Sequence, residues 1–179
     1  MSHCFTRLKF NSGISTPPVY RILRIPSRTS LLKFHKLLQR SMGWKNYHAY
    51  LFEVEWKRYG EHPEQWDFEV FDFHTITLEK IFSGGTKSFI YDYDMGDGWR
   101  HDIELLGILE AEGKEEPACT AGARACPPED CGGPPGYENL LEALADPKHE
   151  EHDELLEWVG AKYDPEKFDL EAVDRALKR

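Results

Sequence analysis

The sequence predicts an α+β fold in a single domain: a mainly antiparallel sheet with one early helix, then a C-terminal group of helices. Three observations predict it. Up to Leu106 the apolar residues recur with period two, the strand signature. After Tyr137 they recur at helical spacing, as Leu140, Leu141 and Leu144 do. Between the two lies a stretch rich in Pro and Gly that carries Cys119, Cys126 and Cys131. The expected division is a sheet-rich part over 1–109, a Cys/Pro/Gly loop over 110–136 and an acidic helical part over 137–179. A chain of 179 residues fits one such domain.

Phe5–Phe10 and Val19–Ile25 read as strands joined by a Gly/Ser/Thr/Pro turn. Thr29 or Ser30 offers a helix N-cap, and Leu31, Phe34, Leu38 and Met42 form the apolar stripe that follows. Gly43 ends that helix in the left-handed conformation, and Trp44 packs back on it. Tyr47–Lys57 alternates, which puts His48, Tyr50, Phe52, Val54 and Trp56 on one face of a strand. Trp66–Phe73 is a further, less regular strand, and Thr77–Phe82 a short helix. Lys87–Met95 and Trp99–Leu106 read as a hairpin turning at Gly96-Asp97-Gly98, with His101 on its apolar face. The loop is too rich in Pro and Gly for a helix or an inner strand. Helices are expected over Tyr137–Ala145, over His152–Val159, from Asp164-Pro165 and again after Asp169.

The net charge of −10 is unevenly placed. Met1–Lys45 carries nine Lys/Arg and no acid, whereas Glu110–Arg179 carries nineteen acids and eight bases. Attraction between the two halves explains this without a ligand, since charge runs are usually solvated faces. Arg7, Lys9, Arg21, Arg24, Lys33, Lys36 and Arg40, with Arg28, are the residues a nucleic acid would meet. No apolar run reaches the ~20 residues of a membrane helix. No export signal is visible, so a cytoplasmic location with reduced thiols is expected.

Thiolate and imidazole are the ligands zinc prefers. Cys119, Cys126 and Cys131, with His48 and His101 reaching in from the sheet, form a candidate structural zinc site. The Cys-x6-Cys-x4-Cys spacing is not that of a zinc ribbon. A Cys119–Cys126 disulfide and plain buried thiols are the alternatives. A binding groove is expected from Trp44, Asp92, Asp94, Asp97, Trp99, Glu129 and Asp130. The acidic turn does not follow an EF-hand pattern, because position twelve from Asp92 is Ile103. A catalytic reading would set Asp97, Glu129 and Asp130 beside His101, with Cys126 or Cys131 as nucleophile. His149 and His152 form a surface metal pair at best. The chain contains no Walker loop, Gly-x-Ser-x-Gly or His-Glu-x-x-His.

Three groups of residues carry a resemblance. They are Met42-Gly43-Trp44 with His48, the run Tyr91–His101, and Ala125–Gly133 with Gly136-Tyr137. They resemble the plasmid pRiA4b ORF-3-like family from about Phe5 to Leu177. The resemblance implies an α+β fold and a bacterial or archaeal, often mobile-element, context. It implies no activity. Members are often labelled as resolvase-type passengers of an insertion element, but the acidic C-terminus here lacks a basic recognition helix. The expected function is therefore a non-catalytic binding or interaction module with an unidentified protein partner, with nucleic-acid binding and enzymatic activity as the alternatives.

Overall fold

Burial along β2 (Val19–Pro26) alternates residue by residue, with Val19, Arg21, Leu23 and Ile25 covered. One face of each central strand is therefore core, and the other meets solvent. β1 (Cys4–Ser12) lies antiparallel to β2 on one side and to β7 (Trp99–Glu110) on the other. β7 pairs with β6 (Ser88–Tyr93), and β6 with β3 (Tyr50–Val54). β4 (Lys57–Gly60) joins β3, and the two-residue β5 (Phe71–Asp72) adds the one parallel pair. β8 (Ala118–Ala123) closes the other edge, giving the order β5-β4-β3-β6-β7-β1-β2-β8 in an eight-stranded sheet. The computed structural model describes residues 4–12, 18–110 and 116–179. The expected turn between β1 and β2 lies outside the described residues, as do residues 111–115 of the expected loop.

Among the described residues five α-helices form on the core side of the sheet. α1 (Leu31–Met42) starts where the Ser30 side chain accepts from the Lys33 N–H, and it ends at Gly43 with φ 77°. Its Phe34 stacks on Phe52 and meets Phe89 edge-on. α2 (Leu78–Ser83) is capped by Thr77 and buries Leu78, Ile81 and Phe82 in the same core. α3 (Gly133–Ala145), α4 (His152–Val159) and α5 (Leu170–Leu177) follow, and α5 packs against β8 and α1. Among the described residues no helix is long and apolar enough to cross a membrane. Along β7 the opposite face carries Arg100, Asp102 and Glu104 in water.

The structure corrects four expectations. The strand expected over Tyr47–Lys57 starts at Tyr50 and ends at Val54. Glu55-Trp56 is the turn of a β3–β4 hairpin, with Glu55 at φ 56° and Trp56 97% exposed. His48 therefore precedes the strand rather than opening its inner row. Trp66–Phe73 yields only β5, because the segment that follows the 3-10 turn Pro63–Gln65 runs through bends and irregular chain up to residue 70. The 110–136 stretch is not one loop. Its Ala118–Ala123 segment makes an edge strand, and Gly133-Pro134-Pro135-Gly136 is the first turn of α3. Proline is tolerated there because the first helical N–H groups have no partner within the helix. Lastly, Asp164-Pro165 makes a turn and not a helix, and Asp169 alone caps α5.

Candidate functional site

The site lies at the end of the sheet where β6 turns into β7. Asp94 has φ 55° at this turn, and its Oδ1 accepts from the N–H groups of Gly96 and Asp97 at 3.0 and 3.2 Å. Those two bonds fix the carboxyl and leave Oδ2 facing His48 Nδ1 at 3.5 Å. On the other side of the imidazole, Nε2 lies 3.1 Å from Asp130 Oδ1, and Asp130 has φ 61°. The Tyr93 ring meets the imidazole edge-on at 5.8 Å.

Segment 44–47 forms one wall. Its four consecutive N–H groups all find partners. Trp44 donates to Gln39 O, Lys45 to Glu129 Oε2, Asn46 to Gln39 Oε1 and Tyr47 to Tyr93 Oη. The Trp44 indole stacks on Tyr93 at 4.8 Å, and its N–H donates to Pro127 O at 2.9 Å. Tyr93 Oη donates to Glu129 Oε1 at 2.6 Å, a short charge-assisted bond. Burial, then the Glu129 carboxylate, push the Tyr93 hydroxyl above its ordinary pKa. Chain 126–131 is thus fastened to the sheet end through Trp44, Lys45 and Tyr93. A cavity of about 350 Å³ opens beside it, lined in part by Trp44, Tyr47, Glu129, Asp130, Trp158 and Tyr163.

The expected zinc ligands are not brought together. Among the described residues, the one group of three metal-ligating side chains with ligand atoms within 4.8 Å of one another is His48, Asp94 and Asp130. No three of Cys119, Cys126, Cys131, His48 and His101 meet that distance. His101 is fully buried, with Nδ1 on Tyr91 O at 3.1 Å and its ring edge-on to Trp44. All four cysteines are free thiols, so the Cys119–Cys126 disulfide is not formed. Cys119 donates to Ala121 O, and Cys126 lies 3.1 Å from Met42 Sδ. Burial pushes Cys119 and Cys126 up to about 11 and Cys131 up to about 12, where the Asp97 carboxylate adds to the shift. A thiol of that pKa holds almost no thiolate at neutral pH, and burial does not activate these cysteines as nucleophiles.

What clamps this stretch is a guanidinium. Arg21, 3% exposed, donates to the carbonyls of Tyr20, Ala123 and Arg124 at 2.8 to 2.9 Å and to Cys126 Sγ at 2.8 Å. The same group lies over the Phe168 ring at 4.6 Å. Arg21 therefore belongs to the core and cannot meet a nucleic acid. The rest of the expected basic set is divided. The backbone of Arg7 and the residues Lys9 and Arg24 lie on β1 and β2, where Lys9 sits over the Tyr20 ring and Arg24 over Phe5. Lys33, Lys36 and Arg40 are exposed on α1, which packs on the core face. Arg28 pairs with Glu79 at 4.0 Å.

The expected groove is also divided. Trp44, Asp94, Glu129 and Asp130 converge at the sheet end. Asp97 backs them, its carbonyl standing where a Cβ on Gly133 would go. Asp92 points to the open face, pairs with Arg100 at 3.4 Å and is half-buried, which raises its pKa. Trp99 is buried beneath the site against Tyr137. His149 Nδ1 accepts from the Glu151 N–H, and His152 Nδ1 lies on Ala143 O. Lys45, Tyr47, Tyr93 and Trp158 were not expected. Tyr93 was legible only as an inward strand residue, and nothing local marks Tyr47 or Trp158 as exposed rings.

Three comparisons place the chain. The chain is 39% identical over 173 residues to the uncharacterized protein y4hQ of Sinorhizobium fredii, covering 96% of this chain and 89% of that one. It is similar to the crystal structure of MM3350, a protein of unknown function from Methanosarcina mazei Go1, with TM-score 0.88 and 34% identity over 96% of this chain and 98% of that one. The model of the plasmid pRiA4b ORF-3-like protein family matches residues 6–172, and the chain belongs to that family.

Proposed function

We propose that this protein is a non-catalytic binding module whose sheet-end cavity takes a cationic side chain, arginine or lysine, of a protein partner. The observation that carries this is the lining of the cavity. Two exposed rings, Tyr47 at 72% and Trp158 at 49%, stand beside Glu129 and Asp130. Aromatic faces and carboxylates both attract a cation, each ring by roughly 0.5–2 kcal/mol. The chain's own Lys45 already lies 5.8 Å from the Tyr47 ring centre, so the rim accepts such a group. Glu129 is held by two bonds and needs no reordering to receive one, which reduces the entropy cost of binding. The high thiol pKa values and the burial of His101 favour binding over covalent chemistry. A serine recombinase is not proposed, since α3, α4 and α5 belong to the acidic part of the chain.

The test is calorimetric titration with a short arginine peptide and with its neutral citrulline counterpart. The arginine peptide should bind and the citrulline peptide should not. Trp158→Ala and Asp130→Asn should each weaken binding by about three- to thirtyfold, the factor one cation–π or charge contact supplies. Equal binding of the two peptides, or unchanged affinity in both variants, rejects the reading.

A second reading has its own observation. Lys33, Lys36, Arg40, Lys178 and Arg179 line a cavity of about 390 Å³ beside α1. A salt-dependent shift of an oligonucleotide, lost in Lys36→Glu with Arg40→Glu, would favour a nucleic acid there.

A further inference from the structure

We infer that His48, Asp94 and Asp130 form a divalent-cation site, which shares Asp130 with the rim of the proposed peptide cavity but rests on its own geometry. One imidazole nitrogen and one oxygen from each carboxylate lie within 4.8 Å of one another. Ligands about 2.1 Å from a common zinc stand about 3–4 Å apart, and because Asp94 faces Nδ1 and Asp130 faces Nε2, a rotation of the imidazole that turns one nitrogen toward both carboxylates completes the set. One nitrogen and two carboxylate oxygens suit a borderline or hard cation, Zn²⁺ or Mn²⁺, and not a soft one.

Two further observations point to a ligand. His48 Nε2 is closed off from solvent yet makes no hydrogen bond among the described residues, although Asp130 Oδ1 lies 3.1 Å away. That contact lacks hydrogen-bond geometry and leaves the nitrogen unsatisfied, and an ion shared by the two atoms would satisfy both. The Asp94 carboxyl is already positioned, with its side chain 9% exposed and Oδ1 held by two backbone N–H groups. Metal ligands are oriented in this way by hydrogen bonds behind them. Three protein ligands leave positions for water, and the exposed Asp130 side gives an entry path. The fold brings these residues together from three separate segments: the chain before β3, the β6–β7 turn and the chain before α3.

The experiment is calorimetry of the full chain, dialysed against chelator, with zinc chloride and then manganese chloride. We expect one equivalent of at least one of these ions. His48→Gln and Asp94→Asn should weaken binding at least about tenfold, whereas Cys126→Ser and Cys131→Ser should bind like the wild type. Asp130→Asn keeps the test decisive if either of the first two fails to fold, because the Asp130 side chain is 66% exposed. No stoichiometric binding by the wild type overturns the inference. So does full binding by folded Asp130→Asn and His48→Gln, or loss of binding in the thiol variants.

Discussion

His35 shows how a buried residue ties stability to pH. Its Nδ1 lies 2.8 Å from the Tyr91 hydroxyl and Nε2 2.6 Å from Asn46 Oδ1, and its ring stacks on Tyr50. Burial lowers its pKa from 6.5 to about 4, and burial lowers that of His101 equally. Both values fall below the unfolded one, so the unfolded chain binds more protons between them. The stability these two contribute is therefore complete above pH 6.5 and is lost as pH falls toward about 4. Each contributes on the order of 3 kcal/mol over that window. Urea unfolding at a series of pH values should show this decline, and NMR titration should find both rings neutral at about pH 5.5. Either ring titrating near 6.5 would contradict the burial assigned to it.

Arg21 was read from its sequence neighbours as a surface cation, and this was misleading. Alternation along β2 puts it on the covered face with Leu23 and Ile25. Period two alone supports that placement, but charge overrode it. Arg21→Lys keeps the charge and loses the fork of donors that spans three carbonyls and a thiol. It should destabilise by about 3 kcal/mol, as breaking a buried charged network does. A loss below about 0.5 kcal/mol in urea would show that the clamp is dispensable.

At the scale of elements, the helices were the more legible part. Ser30, Gly43, Thr77 and Asp169 act as caps because a side-chain oxygen or a left-handed glycine satisfies end groups in a way visible from residue type. Strand ends were harder. Alternation runs unbroken from Tyr50 through Trp56 although the chain reverses at Glu55-Trp56, because a two-residue turn without glycine leaves no mark in the pattern. β8 was hidden by its composition, ACTAGA, which lacks the branched and aromatic residues that signal strands. Among the described residues it pairs with β2 alone, and Gly122 lets Phe168 pack against it.

The chain between β8 and α3 is held by close approach. A Cβ on Gly136 would collide with the Cys131 carbonyl, and backbone there cannot yield cheaply. Gly136→Ala should cost more than about 2 kcal/mol. The fastening of Glu129 to Tyr93 should appear in a double-mutant cycle of Tyr93→Phe with Glu129→Gln. A coupling of about 1–2 kcal/mol in urea unfolding is expected, and additive effects would deny that this bond holds the loop.

At the scale of the whole molecule, the acidic part packs on the basic one, and Arg24 of β2 is among the charges that hold the Asp174 carboxyl below its ordinary pKa. α5, from the acidic half, packs on α1 and β8, and its Asp174 accepts from the Cys119 N–H and from Lys178. Arg124 pairs with Glu166 across the same region. The candidate site was half legible. Trp44, His48, Asp94, Glu129 and Asp130 stood in motifs that read as chemical, yet their joining depends on three loops meeting, which no local spacing encodes. The cysteines drew attention through a residue type that here serves packing.

The proposed surface at the sheet end, around His48 and Glu129, stands against two others, the thiols and the basic helix. Chemical-shift mapping of the ¹⁵N-labelled full chain against the arginine peptide tests it most directly. Shifts are expected only in residues 44–48, 93–97, 126–131 and 156–163, the segments that build the proposed site and its cavity. Shifts centred instead on Lys33, Lys36, Arg40 and Lys178, or no shifts at all, would contradict it.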